Sequence, residues 1–351
     1  MQRTAVNTAH DSLFETIAAL VMCHSPSGAE QEINAYLTDR LTELGVNYWQ
    51  DDADNVIVKI PGKQDTGAIA ITAHKDEIGG IVKSLEPGGK VSVRRLGGSY
   101  PWIYGEGVVD LLGDRHTVNG ILSFGSRHVS HESMQKAQQE GDAVTWEMAW
   151  VETKQSLEAL INAGIRPGTR MVVGKHRKQP YRLGDYIASY TLDNKASVAI
   201  LLALAERLTA PTKTIYLVFS AKEEVGAIGA LYFSNRHKLD ALIALEICPL
   251  AEEYPVDEGA MPVLLAHDKY GLYDEDLNQQ LAYAASEHQI LIQRTVLSSF
   301  GSDGSIAMTF GHVPRAACLS FPTQNTHGYE IAHLGAIDHC ISILERYCND
   351  L

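Results

Sequence analysis

The chain has 351 residues, of which 45% are hydrophobic and 21% charged, a composition typical of a soluble globular protein with room for two domains. Its formal net charge of -14 argues against binding to nucleic acid or to an anionic membrane surface, and no apolar run reaches the roughly 20 residues that a membrane-spanning helix needs. The five cysteines show no CxxC spacing and stand mostly in apolar stretches, so we expect reduced thiols and a cytoplasmic location.

The first 79 residues predict two helices followed by two strands. Ser27 and Glu30 have the spacing of a capping box, and apolar residues then recur at helical intervals from Ile33 onward. The segments 56–60 and 68–73 are rich in β-branched residues and are separated by a Pro-Gly turn, which predicts two strands. The second of these strands leads directly into the polar run HKDE.

From residue 80 to residue 185 the chain consists of short apolar runs separated by Gly-Gly, Pro-Gly and Gly-Asp pairs. The runs predict strands at 91–94, 107–112, 117–124 and 171–173. The segment 154–163 predicts a helix that ends at Gly164. Because this pattern is typical of a small barrel or sandwich, we predict a β-rich, barrel-like insert over 80–185 in a larger domain formed by 1–79 and 186–351.

After residue 185 predicted strands and helices alternate. The strands are predicted at 187–191, 215–220, 242–247, 290–296 and 316–321, and the helices at 196–208, 276–288 and 337–348. Such alternation places helices on the faces of a sheet whose strands run mostly in one direction. We therefore predict an α/β fold with a mixed, largely parallel sheet covered by helices.

Acidic residues and histidines stand where several of these strands end. The residues of this kind are His74, Asp76, Asp193, Glu223, Glu224, Glu246 and His327. Open α/β sheets bind ligands beyond the carboxyl ends of their strands, so we expect these side chains to meet at one edge. Carboxylates and imidazoles without thiolates favour zinc, cobalt or manganese, and the set is larger than one tetrahedral ion uses. The sequence therefore predicts a site for two divalent metal ions.

Each of these residues also has a structural interpretation when it is taken alone. Asp193 precedes a predicted helix and can serve as its N-cap, and His74 can be a hydrogen-bonded histidine at a strand end. Glu246 is harder to explain in this way, because an acid in so apolar a run is costly unless it is paired. The joint occurrence of all these groups at strand ends favours the metal site. His128 and His131 have metal-like spacing but no third ligand, so we predict no site there.

Four segments of the chain resemble the motifs of the dinuclear metalloaminopeptidases of peptidase clan MH. They are AHKDEIGGIV, TLDNKASVAILL, SAKEEVGAIGA and FPTQNTHGYEIAHL. More narrowly, the chain is similar to the group that contains the TET aminopeptidases and the glutamyl aminopeptidases, some members of which have been labelled endoglucanases. The resemblance covers nearly the whole chain and includes the position of the insert.

The resemblance implies a metal-binding role for five of the strand-end residues. Asp193 matches the carboxylate that bridges the two metals. His74 and Glu246 match the groups that complete one metal, and Glu224 and His327 match those that complete the other. Glu246 departs from the family pattern, which has an aspartate at this position.

The resemblance also implies roles for residues that do not bind metal. Glu223 matches the general base, and Asp76 matches the carboxylate that orients His74 through its far ring nitrogen. The peptide bond between Asp193 and Asn194 is expected to be cis, as is typical of the family. Asp303, in the segment FGSDGS, is expected to border the site without binding metal.

Together these roles imply a metal-dependent aminopeptidase that removes N-terminal residues from peptides by means of a metal-activated water. Zinc is the first expectation for the two ions, with cobalt or manganese as alternatives. The resemblance further implies a homo-oligomer, a hollow tetrahedral dodecamer whose contacts involve the insert. Three other readings stay open: a dipeptidase, carboxypeptidase or deacylase with the same site, a catalytically silent peptide-binding assembly, and a glycoside hydrolase, which would leave both histidines unexplained.

Overall fold

The computed structural model describes residues 8–64, 67–126, 128–130, 132, 136, 140–141 and 143–350. The chain divides into two compact units, of which the larger comprises Met1–Asp76 and Gln179–Leu351 and the smaller comprises Glu77–Lys178. Each unit has a β-sheet of its own. Among the residues that the structure describes, no helix has both the length and the apolar character needed to cross a membrane.

The strands and helices of the described residues are numbered in chain order. The strands are β1 Tyr48–Gln50, β2 Val56–Ile60, β3 Ala68–His74, β4 Gly79–Leu85, β5 Lys90–Leu96, β6 Gly107–Leu112, β7 Thr117–Ser123, β8 Trp150–Glu152, β9 Arg170–Val173, β10 Tyr181–Leu183, β11 Tyr186–Tyr190, β12 Thr214–Ser220, β13 Ala241–Pro249, β14 Val263–Asp268, β15 Gly271–Leu272, β16 Gln293–Val296, β17 Ala316–Gln324 and β18 Tyr329–His333. The helices are α1 Thr8–Met22, α2 Gln31–Glu43, α3 Pro101–Tyr104, α4 Leu157–Ala163, α5 Lys175–Lys178, α6 Leu192–Arg207, α7 Ile228–Ser234, α8 Glu275–Glu287, α9 Asp303–Thr309 and α10 Leu334–Asp350.

The larger unit is built on a twelve-stranded sheet whose main path runs β1-β2-β12-β3-β13-β17-β18-β11-β10. Off this path β14 pairs with β17, and β15 and β16 pair with β14. The four central strands, β12, β3, β13 and β17, are parallel, and antiparallel strands flank them on both sides. Helices cover both faces of the parallel strands, which explains why these strands are almost continuously apolar. In β13, for example, every residue but the last is buried. The predicted α/β fold with a mixed, largely parallel sheet is confirmed.

Two apolar clusters hold the larger unit together. Ile69 and Ile71 of β3 pack in the first cluster with α1, α2, α6, α8 and α10, and Ala70 between them packs in the second with α7 and α9. Successive side chains of a strand point to opposite faces of the sheet, so the two clusters lie on opposite faces. Helix α6 is buried over most of its length and packs against α1, α10 and β3. The core therefore fixes the strand ends from both sides of the sheet.

The smaller unit is a closed six-stranded antiparallel barrel with the strand order β4-β5-β8-β7-β6-β9. Its helix α4 begins after Ser156, whose side chain accepts a hydrogen bond from the main-chain N–H of Ala159. The same helix ends at Gly164, which has a φ of 84° and so takes the left-handed conformation that glycine adopts easily. A buried ion pair joins Glu77 and Lys178, the first and last residues of the unit. The predicted β-rich, barrel-like character of the insert is confirmed.

The predicted capping box at Ser27 and Glu30 is wrong. Helix α2 begins at Gln31, and its N-cap, Glu30, makes no side-chain hydrogen bond to the first turn. The Ser27 hydroxyl instead donates to Asp76 Oδ2 at 2.6 Å, and Glu30 Oε2 accepts from Lys75 Nζ at 2.5 Å. Both side chains are buried, so they pair with buried groups distant in sequence rather than with an exposed helix end.

Candidate metal centre

The strand-end residues that the sequence singles out come from five places in the larger unit. They are His74 at the end of β3, with Asp76 just beyond it; Asp193 after β11; Glu223 and Glu224 after β12; Glu246 within β13; and His327 after β17. Strands β3, β12, β13 and β17 are parallel, so their carboxyl ends lie at the same edge of the sheet. The register places Ser220 of β12 beside His74, which brings the segment that carries both glutamates next to this histidine.

The structure brings all of these residues into one cluster around Asp193. Asp193 Oδ1 lies 3.1 Å from His74 Nε2, and Asp193 Oδ2 lies 3.5 Å from His327 Nε2. Glu246 Oε2 is 3.8 Å from His74 Nε2, and Glu224 Oε1 is 3.9 Å from His327 Nε2. One carboxylate thus separates two imidazoles, and each imidazole has a further glutamate beside it.

The backbone next to Asp193 ties this residue to the neighbouring strands. The peptide bond between Asp193 and Asn194 is cis, as the resemblance implied. Asn194 Nδ2 donates to the main-chain oxygen of Leu245 at 2.7 Å and to Glu246 Oε2 at 3.1 Å. The beginning of α6 is therefore anchored to β13, the strand that supplies Glu246.

Asp76 is fully buried behind the cluster and contacts three of its members. Its Oδ1 lies 3.4 Å from His74 Nδ1 and accepts the main-chain N–H of Glu223 at 2.9 Å. Its Oδ2 accepts the Ser27 hydroxyl and, at 3.3 Å, the main-chain N–H of Glu224. Burial alone would raise the pKa of Asp76, but the hydrogen bond and the charge of His74 bring that pKa below its usual value. Asp76 thus stays ionised, and it can orient His74 while it holds the backbone of both glutamates.

The cluster contains more negative charge than its two imidazoles can neutralise. Burial raises the pKa of Glu246 well above its usual value, and the neighbouring Glu223 and Asp193 raise it further. Burial likewise raises the pKa of Glu223, with Glu224 adding to the rise. Burial lowers the pKa of His74, but the surrounding carboxylates outweigh this and leave it well above its usual value. A bound cation would offset this excess of negative charge.

The donor atoms fit divalent metal ions. His74, Asp193 and Glu224 each present one ligand atom, and these three atoms lie within 4.8 Å of one another. Imidazole nitrogen with carboxylate oxygen suits zinc, cobalt and manganese. The hydrogen-bonded contact of His74 Nδ1 with Asp76 leaves Nε2 directed into the cluster, which is the usual arrangement of a metal-binding histidine.

Metal binding is expected to release protons and to weaken as the pH falls. In the metal-free protein the raised pKa values of His74, Glu223 and Glu246 keep protons on these groups up to a higher pH than usual, and a cation must displace those protons. Calorimetric titration of zinc at one pH, in two buffers that differ in ionisation enthalpy, should give different heats, because the buffer takes up the released protons. In Glu246→Gln the release should be smaller. Heats that do not depend on the buffer would contradict this expectation.

Several residues around the cluster are not singled out by the sequence. Glu330 is buried on β18, and its carboxylate accepts the main-chain N–H groups of Asp193 and His327, each at 2.9 Å. Burial and the charge of Asp193 raise the pKa of Glu330 to about 8. Glu30, besides its contact with Lys75, accepts the main-chain N–H of Lys222 at 3.2 Å. The one sequence signal for Glu330 is its position three residues after His327.

Two other predictions concern residues outside this cluster. Asp303 is buried and accepts the Ser220 hydroxyl at 2.6 Å, and its charge acts on the pKa of Glu223, so it borders the site as expected. His128 is exposed in the smaller unit, and His131 lies outside the described residues.

The chain is similar to known proteins over most of its length. A protein-family model described as M42 glutamyl aminopeptidase matches residues 54–343. The chain is 26% identical to the putative aminopeptidase SgcX of Escherichia coli strain K12, over 95% of this chain and 92% of the relative. It is 23% identical to the lysyl aminopeptidase of Pyrococcus furiosus, over 96% and 97% of the two chains. The TET1 peptidase of Pyrococcus horikoshii, described as able to assemble into a tetrahedron or a large octahedral shell, has the same fold, with a TM-score of 0.86, 22% identity and coverage of 97% of this chain and 100% of its own.

Proposed function

This chain belongs to the M42 glutamyl aminopeptidase family and is a peptide-bond hydrolase, and we propose that it removes single residues from the amino termini of peptides at the cluster around Asp193. The observation that carries the proposal is the position of the Asp193 carboxylate, with one oxygen toward His74 and the other toward His327. A carboxylate shared by two ions needs this arrangement. The family membership then connects the cluster to the aminopeptidase reaction.

Five side chains would hold two divalent ions. Asp193 would bind both, His74 and Glu246 would complete one, and Glu224 and His327 would complete the other. When bound, the ions would act as Lewis acids toward the scissile carbonyl and would make a water molecule acidic enough to react near neutral pH. Zinc is the first candidate, with cobalt and manganese as alternatives that the same ligands accept.

Glu223 is the proposed general base. Its Oε2 lies 3.9 Å from His74 Nε2, and its main-chain N–H donates to Asp76, which supports a position of the carboxylate beside the proposed metal ions. Burial raises the pKa of Glu223, so its carboxylate accepts a proton more readily than an exposed glutamate does. In the proposed reaction Glu223 takes a proton from the attacking water and later gives it to the departing amine.

Substrate would approach from the side of His327. The side chain of His327 is 36% exposed and that of Glu223 is 14% exposed, whereas that of His74 is 2% exposed. The cluster is therefore open where His327 and Glu223 meet solvent and closed behind His74. Its negative charge favours the protonated α-amine of a peptide, which would restrict cleavage to the first residue.

A panel of chromogenic aminoacyl anilides tests the proposed function. We expect hydrolysis of substrates with a free α-amine, loss of this activity after treatment with a chelator, and recovery when zinc, cobalt or manganese is returned. The matched control is the same set of substrates with an acetylated α-amine, which a strict aminopeptidase rejects. Release of the coloured aniline from the acetylated set would indicate an endopeptidase, and release of acetate would indicate a deacylase. Activity that survives complete metal removal would contradict the metal-dependent mechanism.

We further propose that the larger unit is the catalytic domain and that the smaller unit contributes contacts in a homo-oligomer, a dodecamer by family resemblance. The described assembly of the structurally similar peptidase from P. horikoshii supports this proposal. In the smaller unit Tyr100 and Trp102 are 52% and 60% exposed, and large exposed aromatic side chains are typical of protein interfaces. A hollow assembly would admit only peptides small enough to enter it.

A further inference from the structure

Glu330 joins two chain segments that lie far apart in the sequence. It stands on β18 and is 1% exposed. Its Oε2 accepts the main-chain N–H of Asp193, and its Oε1 accepts the main-chain N–H of His327, both at 2.9 Å. We propose that Glu330 is a positioning residue that fixes Asp193 and His327 relative to each other and so sets the geometry of the ion they would share. This inference rests on the proposed function.

Neither Asp193 nor His327 has the regular main-chain conformation of a helix or a strand. Asp193 lies in the first turn of α6, where an N–H has no partner within the helix, and its φ and ψ of -72° and 103° are not helical. The N-cap of this helix, Thr191, makes no side-chain capping bond. His327 has a φ of 65°, in the left-handed region that residues other than glycine seldom adopt. Both conformations therefore depend on contacts from their surroundings.

The other residues of the cluster are fixed in different ways. His74 and Glu246 belong to strands β3 and β13, whose pairing sets their positions. Glu223 and Glu224 follow β12, and Asp76 accepts the main-chain N–H of each. Asp193 and His327 also lie on irregular backbone. Among the hydrogen bonds of the described residues, neither donates its main-chain N–H to Asp76. Glu330 provides for them what Asp76 provides for the two glutamates.

The position of Glu330 is itself rigid. Strands β18 and β11 are antiparallel, and their register places Glu330 opposite Ser189, four residues before Asp193. Next to this pair the rings of Tyr190 and Tyr329 pack edge to face, with their centroids 5.1 Å apart. A carboxylate on such a support has two acceptor oxygens at fixed places, and these match the two N–H groups. A buried acid this close to the Asp193 carboxylate is costly for stability, which favours a role in positioning.

Glu330→Gln is the sharpest test, because it keeps the shape of the side chain and removes one of its two acceptors. The amide oxygen can accept one N–H, whereas the amide nitrogen faces the other N–H as a second donor. We expect the full-length variant to bind one cobalt ion much as the wild type does and to bind the second about 10–100-fold more weakly, the range found when groups that orient metal ligands are removed. The visible absorption spectrum of the cobalt-loaded variant should differ from that of the wild type. The titration is followed by competition with a chromophoric chelator in the absence of peptide.

Two further variants complete the experiment. Glu330→Asp keeps the carboxyl group but is too short to reach both N–H groups, so it should also weaken the second ion. Glu287→Gln is the matched control, an exposed glutamate on α8 that should titrate like the wild type. Wild-type cobalt affinity and spectrum in both Glu330 variants would overturn the proposal. It would also be overturned if both variants lost their cooperative thermal transition, since Glu330 would then act on stability.

The cobalt titration and the absorption spectrum do not depend on catalysis. If the wild type bound two cobalt ions but cleaved no aminoacyl substrate, the proposed function would fail while the role of Glu330 in the metal geometry would still be decided by the titration.

Discussion

Replacement of Glu223 by Gln is expected to leave the metal content unchanged and to lower kcat by about 10²- to 10⁴-fold, the contribution typical of a general base. The amide has the shape of the carboxylate but cannot accept a proton from water. The main-chain hydrogen bond from Glu223 to Asp76 does not involve the altered group, so the loop should keep its position. The measurements are kcat on a free-amine anilide and metal content by mass spectrometry.

The adjacent residue gives a matched control for this experiment. Glu224→Gln makes the same chemical change one position along the chain, beside His327 instead of His74. It is expected to lose metal as well as activity, because Glu224 is a proposed ligand. Wild-type turnover in Glu223→Gln would remove Glu223 as the base, and loss of metal from that variant would make it a ligand instead.

Asp193→Asn is expected to lose both metal ions and all measurable activity. The carboxylate presents one oxygen to His74 and the other to His327, whereas an amide has a single oxygen and no charge. Loss of a group that merely orients a ligand costs about 10–100-fold in metal affinity, so loss of the shared ligand should cost at least about 100-fold. Metal content after dialysis and titration with zinc measure this effect.

Asp303→Asn is the corresponding control for the change from acid to amide. Asp303 is also buried, at the border of the site, and its Oδ2 accepts from the Ser220 hydroxyl. Because it is not a proposed ligand, this variant should keep its metal. Two ions per chain in Asp193→Asn would show that the shared-ligand assignment is wrong.

The sequence predicts several strands well because their composition is typical of strands. The predicted strand at 56–60 has the same bounds as β2, and the strand at 107–112 has the same bounds as β6. Runs of β-branched residues bounded by turn residues are typical of strands. Strand β14 and helix α9 were not predicted, because both are short and their burial depends on neighbours that the local sequence does not specify.

The candidate site could be predicted as a set of residues but not as a structure. All of these residues except Glu246, which lies within β13, stand at or just beyond the end of a strand. A parallel sheet brings strand ends together, so the cluster around Asp193 follows from pattern and topology. Glu330 could not be identified in this way, since it acts through main-chain N–H groups and leaves no pattern of side chains. The burial of Lys75 and Lys178 is not predicted either, because lysine is seldom fully buried. Each pairs with an acid distant in sequence, Glu30 or Glu77, and the local sequence does not reveal such a pair.

Two contacts described above begin outside the span that the family model matches, residues 54–343. Ser27 donates to Asp76, and Glu30 accepts the main-chain N–H of Lys222 just before Glu223, so residues outside that span support the segments that follow β3 and β12. The span that the family model matches is therefore shorter than the part of the chain that holds the cluster in place. A chain trimmed to residues 54–343 would keep every proposed ligand and the proposed base but would lose both of these contacts.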